Sequence, residues 1–259
     1  MAGQPAAVAA GVLALIWGMP TAGVVLGSLS KAVIIEVDTC HGPRVISLLD
    51  RAAAGVPNGV RIPGNTGFNA IRPGDSALIG ERKVEVGPLS LRMVRSWDSR
   101  VRPIRPDPER IARLGVATDA VQRGVGQYPI DRLHTALSTG REVPAAIDAL
   151  VGLGQGLTPG GDDVIAGLLA ALHAVGRAPL ARRIGDRALR NRTTTLSTDL
   201  LRLARDGHAC LEALAVLRAM QMPAGPVSDV FHRLLSIGHT SGADLATGMT
   251  IGLQMREGL

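Results

Sequence analysis

The sequence has very few aromatic residues and almost no lysine. Two Trp, one Tyr and two Phe make up 2% of its 259 residues. Nucleic-acid-binding proteins cluster their cations and supply aromatic rings on which bases stack. Here 28 basic residues exceed 22 acidic ones, a net charge of +6, and all but Lys31 and Lys83 are arginines spread along the chain. We therefore predict no nucleic-acid partner.

Cysteine and long hydrophobic runs are also scarce. Cys40 and Cys210 lie far apart, so there is no disulfide framework, and a reducing compartment is expected. Residues 8–29 are largely apolar, but glycines and Pro20 interrupt them and no basic segment precedes them. These interruptions argue against a signal peptide and a membrane span. We predict a buried helix or turn leading into a strand, in a cytoplasmic protein without a membrane partner.

The composition is that of a folded protein with two differently patterned parts. Hydrophobic residues reach 46% and charged residues 19%, which excludes intrinsic disorder. In the first hundred residues, short apolar segments alternate with Gly and Pro turn signals, which is typical of strands. The predicted strands are residues 32–37, 45–49, 77–79, 83–86 and 89–94.

Helical patterns follow from Asp107, which is a good N-cap before Pro108 at the first helical position. The predicted helices are residues 108–123, 130–137, 144–153, 162–175, 179–190, 197–205, 209–219, 227–237 and 242–255. The predicted fold class is α+β. We expect a small antiparallel β domain over residues 1–105 and a mostly α-helical domain over residues 106–259.

A glycine-rich loop before one predicted helix is the most informative segment. Residues 152–163 read Gly-Leu-Gly-Gln-Gly-Leu-Thr-Pro-Gly-Gly-Asp-Asp. Glycines let backbone N–H groups approach a ligand, and a helix N-terminus adds free amide donors and partial positive charge. Together they are typical of a phosphate or carboxylate site. The candidate ligand-binding residues of this loop are Gly156, Thr158, Gly160, Gly161 and Asp162.

The two acids that end this loop allow three interpretations. Asp162 or Asp163 caps the helix, which is worth about 1 kcal/mol. Alternatively, the pair holds Mg²⁺, which binds one or two carboxylates together with substrate oxygens. In the third interpretation, one acid accepts a hydrogen bond from a substrate amide.

A second loop before a helix repeats part of this pattern. Gly161, Asp163 and Gly167 have the same spacings, two and four residues, as Gly242, Asp244 and Gly248. If the repeat is not chance, the two helix N-termini should lie side by side and open into one ligand site. Close packing between the helices would explain the glycines equally well.

Further candidate residues surround these two units. Residues 191–198 carry a run of hydroxyls that either caps the next helix or binds ligand oxygens with Arg192. The candidate binding residues here and in the second loop are Arg192, Thr194, Thr195, Ser197, Thr240, Ser241 and Asp244. His239 is the one histidine inside such a loop and is a candidate proton acceptor.

Residues 154–163 resemble the signature of the oxamate carbamoyltransferase subunit family, the AllH-like proteins of allantoin catabolism. The hydroxyls at 194–197, residues 237–242 and the strands after residue 23 are similar to that family too. This chain has Gly160 where the family usually has Ser, which removes a hydroxyl from the loop.

The resemblance implies carbamoyl transfer between carbamoyl phosphate and oxamate, with oxalurate and phosphate formed, by a complex containing other subunits. In that reaction, Asp163 would orient the attacking amide nitrogen and His239 would accept its proton. The alternative is a non-catalytic assembly subunit that binds an anionic ligand or partner subunits.

Overall fold

The computed structural model describes residues 3–64, 68–222 and 227–255. It divides into two compact units, Met1–Arg100 and Val101–Leu259. Within the described ranges, no helix combines the length and the apolar character needed to cross a membrane.

The first unit is a closed barrel of eight strands in the order β1-β5-β4-β3-β2-β6-β7-β8. The strands are β1 Gln4–Ala9, β2 Thr21–Ser28, β3 Ala32–Thr39, β4 Gly42–Leu49, β5 Gly59–Arg61, β6 Ser76–Gly80, β7 Lys83–Val86 and β8 Leu89–Trp97. A short helix, α1 (Leu13–Trp17), follows the 3₁₀ turn Ala10–Val12, and a second 3₁₀ turn spans Phe68–Ala70.

The predicted fold class is wrong, because the strands close into a barrel that is not wholly antiparallel. β1 pairs in parallel with β8, and β4 pairs in parallel with β5. The end of β1 and all of β2 lie within residues 8–29, where we predicted a buried helix or turn leading into a strand. Only the short α1 and the turn before it match that prediction. β5 has three residues, too few for any periodic signal.

The barrel interior is filled by alternate side chains from each strand. On β8, Leu91 and Met93 are fully buried, whereas Arg92 and Val94 point outward and are exposed. Such alternation follows from the two-residue period of a strand. One continuous apolar cluster results, which includes Val8, Ile35, Ile46, Val60, Leu91 and Met93.

The described part of the second unit contains nine helices. They are α2 Pro108–Asp119, α3 Gln127–Thr139, α4 Val143–Leu150, α5 Gly160–Ala174, α6 Ala178–Ala188, α7 Thr195–Arg205, α8 Leu211–Ala219, α9 Val227–Leu235 and α10 Ser241–Gln254. Each predicted helical segment overlaps one of them. Asp107 caps α2 as predicted, since its carboxylate accepts a hydrogen bond of 2.9 Å from the Glu109 amide.

The centre of this unit is the pair α5 and α10. Both helices are buried along nearly their whole length, with side chains in the two apolar clusters of the unit. Leu168 of α5 lies in one cluster, and Ala171 of α5 and Met249 of α10 lie in the other. The pair therefore fixes the positions of the residues at its two N-terminal ends.

Candidate functional site

Glycines allow α5 and α10 to touch backbone to backbone. A Cβ atom on Gly248 would collide with the carbonyl oxygen of Val164, and one on Gly167 would collide with that of Leu245. A Cβ on Gly252 would lie 2.6 Å from the Ala171 Cβ. Residues later in α5 contact residues later in α10: Val164 contacts Gly248, and Ala171 contacts Gly252. The helices therefore run parallel, and their N-termini lie at the same end.

The two helices enter this contact in equivalent ways. Gly161 presses against the Leu150 carbonyl at the end of α4, and Gly242 presses against the Leu234 carbonyl near the end of α9. In both cases, a Cβ atom would overlap that oxygen. Because the same offset of 81 residues relates Gly161 to Gly242 and Gly167 to Gly248, the helices form a pseudo-two-fold pair.

The N-terminal ends of the pair face each other across this pseudo-symmetry axis. The Thr158 and Ser241 hydroxyls are hydrogen-bonded at 3.3 Å, and Ser241 also bonds to the Asp163 carboxylate. On the other side, a Cβ on Gly160 would lie 2.7 Å from Asp244 Oδ2. The prediction that the two helix N-termini lie side by side is confirmed, and the packing role of the glycines holds as well.

Asp162 holds the glycine-rich loop in place. Its Oδ1 accepts a 2.8 Å hydrogen bond from the Gly152 amide, and its Oδ2 accepts one from the Thr193 hydroxyl. The first bond joins the two ends of the loop to each other, and the second fastens the loop to the segment before α7. The interpretation of Asp162 or Asp163 as the helix cap is wrong, because α5 begins at Gly160 and Pro159 is its N-cap residue.

Asp163 lies buried between the two helix N-termini. Its residue is 7% exposed, and its carboxylate is hydrogen-bonded by Ser241 and Thr158. Its Oδ2 is buried and has no hydrogen-bond partner among the described residues. Burial raises the pKa of Asp163 well above its usual value. The hydroxyls lower that pKa, and the nearby charges of Asp244 and Asp162 raise it further.

Asp244, the pseudo-symmetric counterpart of Asp163, is completely buried and fully partnered. Oδ1 accepts hydrogen bonds from the Gly124 amide at 3.0 Å and the Val125 amide at 3.2 Å. Burial raises the pKa of Asp244, whereas these amides, the Thr240 hydroxyl and the charge of Arg123 lower it. The loop between α2 and α3 thus closes this half of the pair.

We did not predict that the loop between α2 and α3 belongs to this site. Gly124, Val125 and Gly126 form a short glycine-flanked segment next to Arg123, whose side chain is only 16% exposed. The glycines were the one available signal. Nothing in the sequence connects them to Asp244, which is 120 residues away.

The hydroxyl run lies against the glycine-rich loop. Thr194 is the N-cap of α7, where its hydroxyl accepts a 3.0 Å bond from the Ser197 amide and donates to the Leu157 carbonyl. Thr195 opens α7, and Ser197 is buried in its first turn. The capping interpretation of this run is therefore confirmed for Thr194.

Other candidate residues lie at the surface of these loops. The Arg192 side chain is exposed, and its carbonyl lies against Gly152. Gly156 has a positive φ of 93° with open space around its α-carbon. His239 is exposed in the loop before α10. Across the described ranges, no three His, Cys, Asp or Glu side chains are grouped to hold a metal ion.

The buried thiol of Cys210, whose pKa is affected by the charge of Asp163, is unreactive. Cys210 is the N-cap residue of α8, and burial raises its pKa to about 12, with the charges of Glu212 and Asp163 adding to the shift. Thiolate is the reactive form of cysteine, so Cys210 stays protonated near neutral pH.

The part of this unit that carries the paired helix N-termini and the two buried aspartates is similar to a known family. The family model described as oxamate carbamoyltransferase subunit AllH matches residues 150–253. The match runs from the last residue of α4 into α10 and covers less than half of the chain. It confirms the resemblance indicated by the signature at residues 154–163. No solved structure matches the chain.

Proposed function

We propose that the chain is a subunit of an oxamate carbamoyltransferase and that its paired helix N-termini bind the small anionic substrates. One observation carries this proposal. The residues matched by the family model, 150–253, include both helices of the pair and the glycine-rich loop between α4 and α5. Two parallel helix N-termini concentrate partial positive charge, which suits carboxylate and phosphate groups.

The reaction forms one bond and breaks another. The oxamate nitrogen attacks the carbamoyl carbon of carbamoyl phosphate, the bond from that carbon to the phosphate oxygen breaks, and phosphate leaves. The nitrogen loses a proton, so oxalurate and phosphate are the products. Donors placed where negative charge develops are typically worth about 3 kcal/mol each in the transition state.

Two side chains have proposed roles in this reaction. Asp163 would orient the attacking nitrogen, because it is buried next to both helix N-termini and one of its oxygens has no protein partner among the described residues. His239, which is exposed in the loop before α10, would accept the proton from the attacking nitrogen. Thr158 and Ser241 hold the Asp163 carboxylate in position.

The family name describes a subunit, so we propose that transfer requires other subunits of the same complex. A non-catalytic assembly subunit is the second candidate. It is favoured by the position of His239, which makes no described hydrogen bond to Asp163. In that case, the helix pair would bind a ligand or partner without performing the chemistry.

The test is a transfer assay with the purified chain, alone and mixed with candidate partner subunits. Carbamoyl phosphate and oxamate are supplied, and oxalurate and phosphate are measured. Asp163→Asn should lower kcat/KM of the active mixture about 100-fold, as is typical for the loss of one preorganised group. Asp148→Asn, which weakens an ion pair with Arg187 on the α4 side of the unit, is the matched control and should leave transfer unchanged.

Two results would contradict the catalytic role. Absence of transfer in every mixture would reject the proposed reaction. Full activity of an Asp163→Asn mixture would leave the chain as an assembly subunit.

A further inference from the structure

We infer that Asp163 is a specificity-determining residue that accepts an N–H bond from a primary carboxamide and rejects a carboxylate in the same place. This deepens the proposed function, on which it rests for the choice of ligand. It adds which chemical group the site distinguishes and which atom does so, Oδ2 of Asp163.

Asp163 and Asp244 occupy equivalent positions in the pseudo-two-fold pair. Asp163 on α5 and Asp244 on α10 are related by the same offset as the glycines that pack the two helices. Each carboxylate also has a hydroxyl partner from the segment that leads into its own helix, Thr158 for Asp163 and Thr240 for Asp244. The two aspartates thus share their local surroundings.

They differ in what reaches them from outside the pair. Asp244 accepts N–H bonds of 3.0 Å and 3.2 Å from two consecutive backbone amides, those of Gly124 and Val125. Asp163 has no such loop, and its Oδ2 is buried with no hydrogen-bond partner among the described residues. The chain itself thereby shows which group fits this kind of carboxylate: a planar amide that presents N–H.

A buried acceptor without a donor is costly, and a ligand amide would remove that cost. Above the raised pKa of Asp163, where its carboxyl is ionised, a carboxylate oxygen in the same place would offer no proton and would repel that charge. The two helix N-termini alone would favour the opposite order, because a dianion gains more from their partial positive charge than a monoanion does. Preference for the amide is therefore diagnostic of Asp163 and not of the helix ends.

Oxamate and oxalate are the matched probes, since they differ by one NH₂ in place of one O⁻. Isothermal titration of the full chain, repeated over a pH series from 7.5 upward so that Asp163 becomes ionised, measures both affinities for the wild type, Asp163→Asn and the control Asp148→Asn. We expect the wild type to bind oxamate at least about tenfold more tightly, as for a hydrogen bond to a charged group. Asn at 163 offers N–H as well as C=O, so that variant should lose or reverse the preference. Asp148→Asn should keep it.

Three results would overturn the inference: equal or tighter oxalate binding by the wild type, no binding of either ligand, or an unchanged preference in Asp163→Asn. Circular dichroism checks that the variant is folded. If it is not, the wild-type comparison alone decides. The outcome is separable from that of the transfer assay. Carbamoyl transfer without amide preference refutes only the inference, and amide preference without transfer refutes only the proposed reaction.

Discussion

Replacing Gly248 by Ala should separate α5 from α10 and destabilise the second unit. The added Cβ would overlap the carbonyl oxygen of Val164 and lie 2.7 Å from the Leu168 amide nitrogen. Both atoms are backbone, so no change of side-chain rotamer can relieve the collision. The helices themselves must move apart, which opens their buried contact.

The expected size follows from two opposing effects. Overpacking a buried contact costs about 1–3 kcal/mol, and a rigid backbone neighbour places this case near the upper value. Ala in a helix interior is better than Gly by about 1 kcal/mol. The net loss is about 2 kcal/mol, or about 4–8 °C in Tm for a unit of this size.

Thermal unfolding followed by circular dichroism at 222 nm measures this loss, since the helices lie mainly in the second unit. Gly115→Ala on α2 is the matched control. Its Cβ would meet the flexible end of Gln254 at 3.1 Å and the Thr250 methyl group at an ordinary contact distance of 3.6 Å, so this change should be neutral or stabilising. Equal Tm values for Gly248→Ala and the wild type would refute the close parallel packing.

Three further predictions concern the same unit. Burial raises the pKa of Asp163, so the folded state keeps a proton that the unfolded chain loses near pH 4. The free energy of unfolding should therefore fall as pH rises from about 4 towards the raised pKa, and Asp163→Asn should reduce that fall in denaturant titrations. Thr194→Ala should cost about 1 kcal/mol through loss of the cap of α7, measured as a lower Tm. Gly161→Val should lower Tm more than Gly248→Ala does, because the larger side chain would overlap the Leu150 carbonyl.

Each of these has an outcome that would contradict it. Parallel pH profiles for the wild type and Asp163→Asn would mean that this carboxyl titrates normally. For the cap, Thr195→Ala one residue later is the control, and equal losses in both variants would remove the capping role of Thr194. A Gly161→Val variant with wild-type Tm would show that the end of α4 yields easily.

The helices of the second unit could be predicted because their signals are local. Asp107 before Pro108 marks the start of α2, and hydrophobic periodicity marks the helices that follow. The repeated spacing of Gly161 and Asp163 with Gly242 and Asp244 even predicted which two helix N-termini meet. That worked because close helix contact demands glycine at fixed intervals, which the sequence displays directly.

The barrel could not be predicted in the same way. Closure depends on β1 pairing with β8, strands some ninety residues apart, and parallel pairing leaves no turn signal between them. β2 presents apolar residues outward as well as inward, with Val24 and Leu26 exposed, so its alternation is hidden. Glycine and proline interruptions in the N-terminal region suggested a helix or turn where two strands and a short helix form.

The two aspartates show most clearly what local sequence determines and what only the tertiary structure decides. Residue type and spacing put Asp163 and Asp244 near the starts of two helices, which is local information and can be read along the chain. Their difference comes from a third segment. Asp244 receives the amides of Gly124 and Val125, while Asp163 keeps an oxygen without a partner among the described residues. Spacing within one segment carries no record of a loop 120 residues away, so only the packing of the folded chain gives one carboxylate its amide partners and leaves an oxygen of the other without one among the described residues.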